Sequence, residues 1–97
     1  PSEVWLPVGG HPGYEVSSHG RVRNATTGRV LRPQLSGAGY RKVHLGRGAQ
    51  RLVHRLVAEA FHGSPSLPTD HADHLDFDRT NNHACNLRWL PAAVNIG

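Results

Sequence analysis

The chain of 97 residues has room for one compact domain, or for two small lobes that share a core. Hydrophobic residues make up 37% of it, and its 11 glycines and 7 prolines disfavour a helical bundle. The sequence has no apolar run of membrane-spanning length and no signal-peptide pattern. The single cysteine, Cys85, excludes an internal disulfide framework and a cysteine-based zinc finger. We therefore expect a cytoplasmic protein that does not associate with membranes.

The net charge of +4 is divided unevenly along the chain. Residues 1–60 carry nine basic side chains against three glutamates, whereas residues 61–97 carry two arginines against four aspartates. A basic surface attracts polyanions, and a local acidic cluster suits a hard cation. A well-solvated surface is the alternative interpretation. The few acids cannot neutralise every basic residue of the first half, so we expect phosphate contacts from this set: Arg21, Arg23, Arg29, Arg32, Arg41, Lys42, Arg47, Arg51 and Arg55.

Short β-type runs alternate with turns through the first half of the sequence. We predict strands at residues 4–6, 14–16, 21–23, 29–31 and 51–53. Between the last two, residues 40–45 alternate in polarity, which predicts a half-buried strand. Arg41 and Val43 would lie on one face of that strand, and Lys42 and His44 on the other.

The second half contains one clear helical pattern, at residues 54–61. Its apolar residues fall on one face, and a glycine and a proline follow it. After a loop rich in serine and proline, residues 73–75 and 87–90 predict two strands around a long polar loop. Pro91 suits the first turn of a terminal helix that runs through Asn95.

Four polar residues of this second half form a candidate chemical site. Asp73 and His74 lie in a predicted strand, Asn86 precedes the next strand, and Asn95 lies in the terminal helix. A strand–loop–strand–helix unit would bring them over one point. Carboxylate and amide oxygens suit a hard cation such as Mg²⁺, and a neutral imidazole beside it can take a proton from water. The Asn86 side chain or its neighbouring backbone would fix the hairpin and the histidine tautomer. One metal, one base and one phosphate suffice for hydrolysis.

Three segments of the chain resemble a known family. Residues 73–82, continuing through Asn86-Leu87-Arg88-Trp89 to Asn95, are similar to the HNH motif of phage and intron homing endonucleases, in the branch whose final histidine is replaced by asparagine. Residues 53–61 resemble the helix that precedes this motif. Residues 3–5 together with 14–23 resemble the nuclease-associated module NUMOD4.

The resemblance implies a role for each matching residue. Asp73 and Asn95 would bind one divalent metal ion, most simply Mg²⁺, with Mn²⁺ or another divalent ion as alternatives. His74 would be the general base, and Asn86 would orient the hairpin and His74. Family members cut DNA to 5′-phosphate and 3′-hydroxyl ends, so the resemblance also implies DNA as the partner and a bacterial or phage-infected cell as the setting.

The resemblance also implies the architecture. We expect an α+β fold, with a β-rich, DNA-contacting module at residues 1–50 and a nuclease module at residues 51–97. In the nuclease module, helix 54–61 would precede a ββα-metal motif at residues 70–97. The sequence leaves open whether the protein is a monomer or a homodimer.

The sequence departs from the family pattern at three positions. Phe77 stands where a glycine is usual, so we expect either a different turn after His74 or packing of Phe77 on the core. Pro91 and Val94 replace the usual threonine and glutamate before the final asparagine, which alters the helix cap and retains the proposed ligand.

The remaining histidines, cysteine and acids have simpler interpretations. We expect His71 and His83 to be solvent-exposed, since with one cysteine they do not supply four tetrahedral zinc ligands. His54 would form hydrogen bonds within the core, and Cys85 would be a small buried side chain. Asp76 and Asp78 would stabilise the loop, and Asn81 and Asn82 would serve the same turn.

The sequence therefore predicts a metal-dependent DNA endonuclease. One alternative is a DNA-binding module with a degenerate or truncated HNH site, in which the basic half carries the function. A second alternative is a zinc-stabilised interaction domain built on the surplus histidines.

Overall fold

A computed structural model describes residues 2–46, 48–67 and 69–91, which form three small antiparallel sheets around one helix. The expected α+β class is confirmed. The predicted terminal helix through Asn95 lies outside the described residues, and so does Arg47. Within the described ranges, no helix is long and apolar enough to cross a membrane.

The first sheet contains strands β1 (Trp5–Val8), β2 (His11–Ser17) and β3 (Val22–Asn24), with β2 in the centre. Val16 of β2 pairs with Leu6 on one side and with Val22 on the other, and it is fully buried. The strand predicted at residues 29–31 is wrong, because only Val30 makes a single bridge, to Arg23. Pro33 follows closely and has no amide hydrogen with which to extend the pairing.

The second sheet contains β4 (Gln34–Leu35), β5 (Arg41–His44) and β6 (Gln50–Leu52), with β5 in the centre. Strand β5 confirms the alternation expected from its sequence. Val43 and, just beyond the strand, Leu45 are buried, whereas His44 between them is exposed. The sheet therefore contributes one apolar face to the core.

Helix α1 (Val53–His62) is one residue longer at each end than predicted. It ends before Gly63, whose φ of +76° belongs to the left-handed region that glycine adopts without steric cost. Its buried face joins residues of all three sheets in one core, whose members are Val8, Val16, Val22, Val43, Leu45, Val53, Leu56, Val57 and Leu87. The β-rich half and the helix therefore share a single apolar core.

The third sheet is the hairpin of β7 (His71–His74) and β8 (Leu87–Leu90), in which Asp73 pairs with Arg88 and His74 with Leu87. A 3₁₀ turn at Ala84–Asn86 leads from the long loop into β8. This loop packs on the turn between β2 and β3, where the Ala84 amide donates a hydrogen bond of 2.8 Å to the Ser18 carbonyl oxygen. The first sheet thus supports the loop that follows β7.

Candidate active site

A cavity of about 270 Å³ lies between β7 and the beginning of α1. Asp73 and His74 of β7 line it together with His54 of α1. Tyr40, just before β5, and Arg79 of the long loop form other parts of its wall. The cavity therefore brings together the predicted base and one predicted metal ligand, with residues from both halves of the chain.

His74 ends strand β7 and is 5% exposed. Its Nε2 lies 2.8 Å from the side-chain oxygen of Asn82. Because that oxygen can only accept a hydrogen bond, Nε2 carries the hydrogen and the lone pair remains on Nδ1. The structure thus holds His74 in the tautomer in which Nδ1 can take a proton.

Asn82 is the residue of the candidate site that the sequence interpretation missed, since it was assigned only to the turn. Its side chain is buried, at 5% exposed, because the turn between β2 and β3 packs against it at Gly20. The sequence offers no signal that separates Asn82 from its neighbour Asn81. Their roles differ only because the folded loop points one of them at His74.

Asn86 organises the loop and the hairpin, as expected, whereas the hydrogen-bond partner of the His74 ring is Asn82. Its Nδ2 donates hydrogen bonds of 2.9 Å to the Asp76 carboxylate and to the Asn81 carbonyl oxygen. Its Oδ1 accepts from the Asp76 amide at 3.2 Å. These bonds use both ends of the Asn86 amide on the loop backbone and on Asp76, so Asn82 is the residue left to meet His74.

Asp76 and Asp78 stabilise the loop, as predicted. The Asn81 side chain, the Asp78 amide and the Asn86 side chain donate hydrogen bonds to Asp76 and lower its pKa to about 2. Asp78 accepts from the Thr80 hydroxyl at 2.7 Å, and this bond lowers the Asp78 pKa below its ordinary value. Both carboxylates are therefore ionised and engaged in the loop.

Neither expected outcome for Phe77 is observed, since it takes a left-handed backbone conformation of the kind that the usual glycine would adopt and it does not pack on the core. Its φ is +64°, a left-handed conformation that costs a non-glycine residue about 1–2 kcal/mol. Its side chain is 88% exposed, so it does not pack on the core.

Cys85 is also exposed, and the prediction of a buried cysteine is wrong because the 3₁₀ turn faces it outward. His71 and His83 are exposed as expected.

Asp73 is largely shielded from solvent, with 20% of its side chain exposed. Its Oδ2 lies 3.2 Å from Nε of Arg88, its cross-strand partner, which leaves Oδ1 as the oxygen free of that ion pair. A carboxylate of this kind, with an amide such as that of Asn95, suits a Mg²⁺ site that waters and phosphate oxygens complete. Asn95 itself lies outside the described residues.

The described part of the chain does not support the zinc-stabilised alternative. Within residues 2–46, 48–67 and 69–91, no group of three or more histidine, cysteine, aspartate or glutamate side chains is placed to hold a metal ion. A structural zinc site requires four such ligands in almost every case.

Three of the basic residues expected to contact phosphates are held by acids of the protein itself, in the pairs Arg21–Glu3, Arg23–Glu15 and Arg51–Glu59. The pKa of Glu3 is lowered to about 2, and the hydrogen bond from Arg21 is the main cause. Arg55 donates to the Asp70 carbonyl oxygen at 3.2 Å and lies over the Trp89 ring. The side chains of these four arginines are therefore already engaged in contacts within the protein.

Four other basic residues of the first half are partly or fully exposed. Among the residues that the structure describes, Arg29, Arg32, Arg41 and Lys42 form no ion pair with an acid. Arg32 and Arg41 line a cleft that also includes Asn82, the hydrogen-bond partner of His74. Arg32 and Arg41 therefore bring positive charge to the edge of the loop that supports the candidate base, where Asp78 lines the same cleft.

Comparison with known families divides the chain into two matched segments. Residues 3–46 match the NUMOD4 motif, and residues 51–95 match the HNH endonucleases. The chain belongs to the HNH endonuclease family. Both resemblances inferred from the sequence are thereby confirmed.

Relatives of this chain occur in phages and a giant virus. DNA endonuclease I-HmuI of Bacillus phage SP01 is 35% identical in an alignment that covers 95% of this chain and 55% of the relative. HNH endonuclease L247 of Acanthamoeba polyphaga mimivirus is 33% identical in an alignment that covers 98% of this chain and 25% of that protein. H-N-H endonuclease F-TflII of Escherichia phage T5 is 32% identical over 81 residues, covering 79% and 42%.

The same relationship is visible in the fold. The solved structure describing DNA binding and cleavage by the HNH homing endonuclease I-HmuI superposes with a TM-score of 0.84 and 34% identity. The match covers 96% of this chain and 55% of that one. The chain thus spans between a quarter and just over half of the length of these relatives.

Proposed function

We propose that this chain supplies the cutting site of a DNA endonuclease that hydrolyses phosphodiester bonds with the help of one divalent metal ion. The observation that carries the proposal is the His74–Asn82 hydrogen bond, which leaves Nδ1 of a buried histidine as a proton acceptor beside Asp73. The names of I-HmuI and F-TflII as endonucleases support it.

His74 acts as the general base in this proposal. The oxygen of a water molecule forms a bond to phosphorus while one water proton moves to Nδ1 of His74. The bond from phosphorus to the 3′ oxygen breaks, and that oxygen takes a proton from solvent water. The products are a 5′-phosphate and a 3′-hydroxyl. Asn82 stabilises the protonated ring, since its oxygen continues to accept from Nε2.

Asp73 and Asn95 are the residues that would hold the metal ion. The ion, Mg²⁺ or Mn²⁺, supplies a Lewis acid that stabilises negative charge on the phosphate and on the leaving oxygen. Arg88 orients the Asp73 carboxylate across the hairpin by binding its Oδ2. One oxygen of Asp73 is thereby directed away from the ion pair.

DNA would bind at the basic residues that form no ion pair in the described structure, above all Arg32 and Arg41, rather than at all nine. Arg29, Arg32, Arg41 and Lys42 have no acid to neutralise them in the described structure, so their charges remain available for phosphates. The cleft of Arg32 and Arg41 borders the loop of Asn82. Phosphates bound there would run beside the cutting site. Arg47 stays a prediction from sequence.

Plasmid nicking tests the proposal directly. The purified protein is incubated with supercoiled plasmid in Mg²⁺, in Mn²⁺ or in EDTA, next to the variant His74→Ala. We expect nicking that requires the metal ion and is lost in the variant, with DNA binding retained in a gel shift. His44→Ala is the matched control, because His44 is exposed on β5 and does not line the cavity.

Two results would contradict the proposal. Gel shifts without cutting in any metal ion would favour the DNA-binding module with a degenerate site. Unchanged nicking by His74→Ala would remove this histidine from the chemistry.

A further inference from the structure

His54 lies beside the proposed base but has no role in the chemistry described so far. It is the second residue of α1, it is 5% exposed, and it lines the same cavity as His74. The centroids of the two imidazole rings are 5.0 Å apart. A group this close can control where the His74 ring sits.

Three rings form a cluster at this point. His54 stacks on Tyr40 with centroids 4.8 Å apart and ring planes 18° from parallel. Tyr40 also lies 6.0 Å from the His74 ring, and the Arg79 guanidinium lies 4.9 Å from the Tyr40 ring centre. His74 is therefore bounded on one side by two other rings and held on another by its bond to Asn82.

The His54 ring is held by packing. Its Nδ1 is buried and has no hydrogen-bond partner in the described structure, so the expected hydrogen bonding within the core is not made at this atom. An unpaired buried polar atom costs about 1–3 kcal/mol, which an apolar ring in the same place would avoid. The contacts with Tyr40 and His74 are what fix its orientation.

His54 is also uncharged at neutral pH. Burial is the main cause of a His54 pKa of about 4, and the neighbouring His74 and Arg55 lower it further. Tyr40 and Arg79 are the other polar groups that contact the rings, and Asp73 and His71 line the same cavity. A cation in contact with His74 would oppose proton uptake by that ring, so an uncharged neighbour is the compatible one.

We propose that His54 is a positioning residue of the nuclease site, whose ring packs against Tyr40 and His74 and fixes the His74 imidazole for proton transfer. The inference rests on the proposed function, in which His74 is the base. It adds that a residue of α1, supported by Tyr40 from the first half of the chain, restricts the base to one orientation.

Two variants distinguish a His54 ring that only positions His74 from a His54 nitrogen that takes part in the reaction. His54→Phe keeps a flat, neutral ring and removes both nitrogens, whereas His54→Ala removes the ring. With Mg²⁺ present and enzyme in excess over plasmid, we expect His54→Phe to nick within about threefold of the parent and His54→Ala to be slower by about tenfold or more. The Kd for plasmid in EDTA should not change in either.

The state of the His74 ring gives a readout that does not depend on cutting. Nitrogen NMR of the metal-free protein distinguishes the two neutral tautomers of a histidine. We expect the Nε2–H form of His74 in the parent and in His54→Phe, and a mixture of tautomers in His54→Ala. Should the alanine variant lose its fold by circular dichroism, His54→Leu fills the volume without a flat ring and is judged by the same criteria.

The proposal is overturned if His54→Ala nicks at the parental rate with an unchanged His74 tautomer. It is also overturned if His54→Phe is as slow as His54→Ala, because a ring nitrogen would then be required. The variant His74→Ala distinguishes failure of this proposal from failure of the proposed function. Full activity in that variant refutes the base assignment itself, whatever the His54 variants do.

Discussion

A β-carbon placed on Gly20 would lie 2.8 Å from both the β-carbon and the carbonyl oxygen of Asn82. The turn between β2 and β3 thus contacts Asn82. The side-chain oxygen of Asn82 lies 2.8 Å from Nε2 of His74, the proposed base. A turn that belongs to the first matched segment sets the position of a side chain in the second. The candidate site is therefore built by both segments.

Gly20→Ala should damage this contact. The added β-carbon requires Asn82 to move, and the φ of +87° at residue 20 is itself strained for alanine. We expect slower nicking and a loss of about 1–3 kcal/mol in the free energy of unfolding. Gly28→Ala is the control, because Gly28 has a φ of +74° but nothing within 4 Å of the added atom. Equal nicking rates in the two variants would show that the contact with Asn82 is dispensable.

Asn82→Ala removes the acceptor for Nε2 of His74. Both groups are buried, so the lost hydrogen bond should lower the free energy of unfolding by about 1–3 kcal/mol. We expect nicking to fall by about tenfold or more, because the base loses its defined tautomer, while the Kd for DNA stays constant. Asn82→Asp retains an acceptor at the same place and should recover much of the rate. Full activity of the alanine variant would argue against a role for Asn82.

Asp73→Asn tests the proposed metal ligand by a binding measurement as well as by cutting. The change retains an oxygen donor but removes the charge that attracts a divalent ion. We expect weaker Mn²⁺ binding in titration calorimetry and lost nicking, with DNA affinity unchanged in EDTA. Glu59→Gln, on α1 and paired with Arg51, is the control acid. Mn²⁺ binding equal to that of the parent would take Asp73 out of the site.

The ion pairs predict that substituting unpaired arginines weakens DNA binding more than substituting arginines paired with an acid. Arg32→Ala and Arg41→Ala should weaken binding and reduce the dependence of log K on log salt, by about 0.9 for each lost phosphate contact. Arg21→Ala and Arg23→Ala should change affinity less, since Glu3 and Glu15 already neutralise these side chains. Gel shifts in EDTA at several KCl concentrations measure both effects. The reverse order of effects would place DNA on the first sheet instead.

The lowered pKa of His54 predicts how the free energy of unfolding depends on pH. Its pKa of about 4 in the folded protein lies below the ordinary value of 6.5, so the unfolded chain binds the proton more tightly. The corresponding stability is present above about pH 6.5 and is lost as the pH falls towards 4. Chemical denaturation across this range should show a decline that His54→Phe lacks. The same decline in both proteins would assign it to other groups.

Periodicity predicted the parts of the fold in which burial follows a regular pattern. The alternation in β5, the apolar stripe of α1 and the strand at Leu87–Leu90 all formed as expected. The strand predicted at residues 29–31 failed because its continuation depends on a backbone partner and on Pro33, neither of which an apolar run reveals.

The site was predictable to the extent that it lies on those regular elements. Asp73 and His74 were found from their place on a strand, and they do line one cavity. The choice of Asn82 over Asn86 as the partner of His74 depends on the shape of the loop between β7 and β8. That shape is set by hydrogen bonds among loop side chains and by the left-handed turn at Phe77, which no spacing rule encodes.

The single apolar core has a consequence for how such proteins can change through recombination. Val8, Val16 and Val22 from the first matched segment are buried with Leu56 and Val57 from the second. A crossover at residues 47–50 would therefore join halves whose buried surfaces have not been selected together. Exchanged halves would have to match in volume at these positions to pack one core, so the two motifs depend on each other for folding although they are recognised separately.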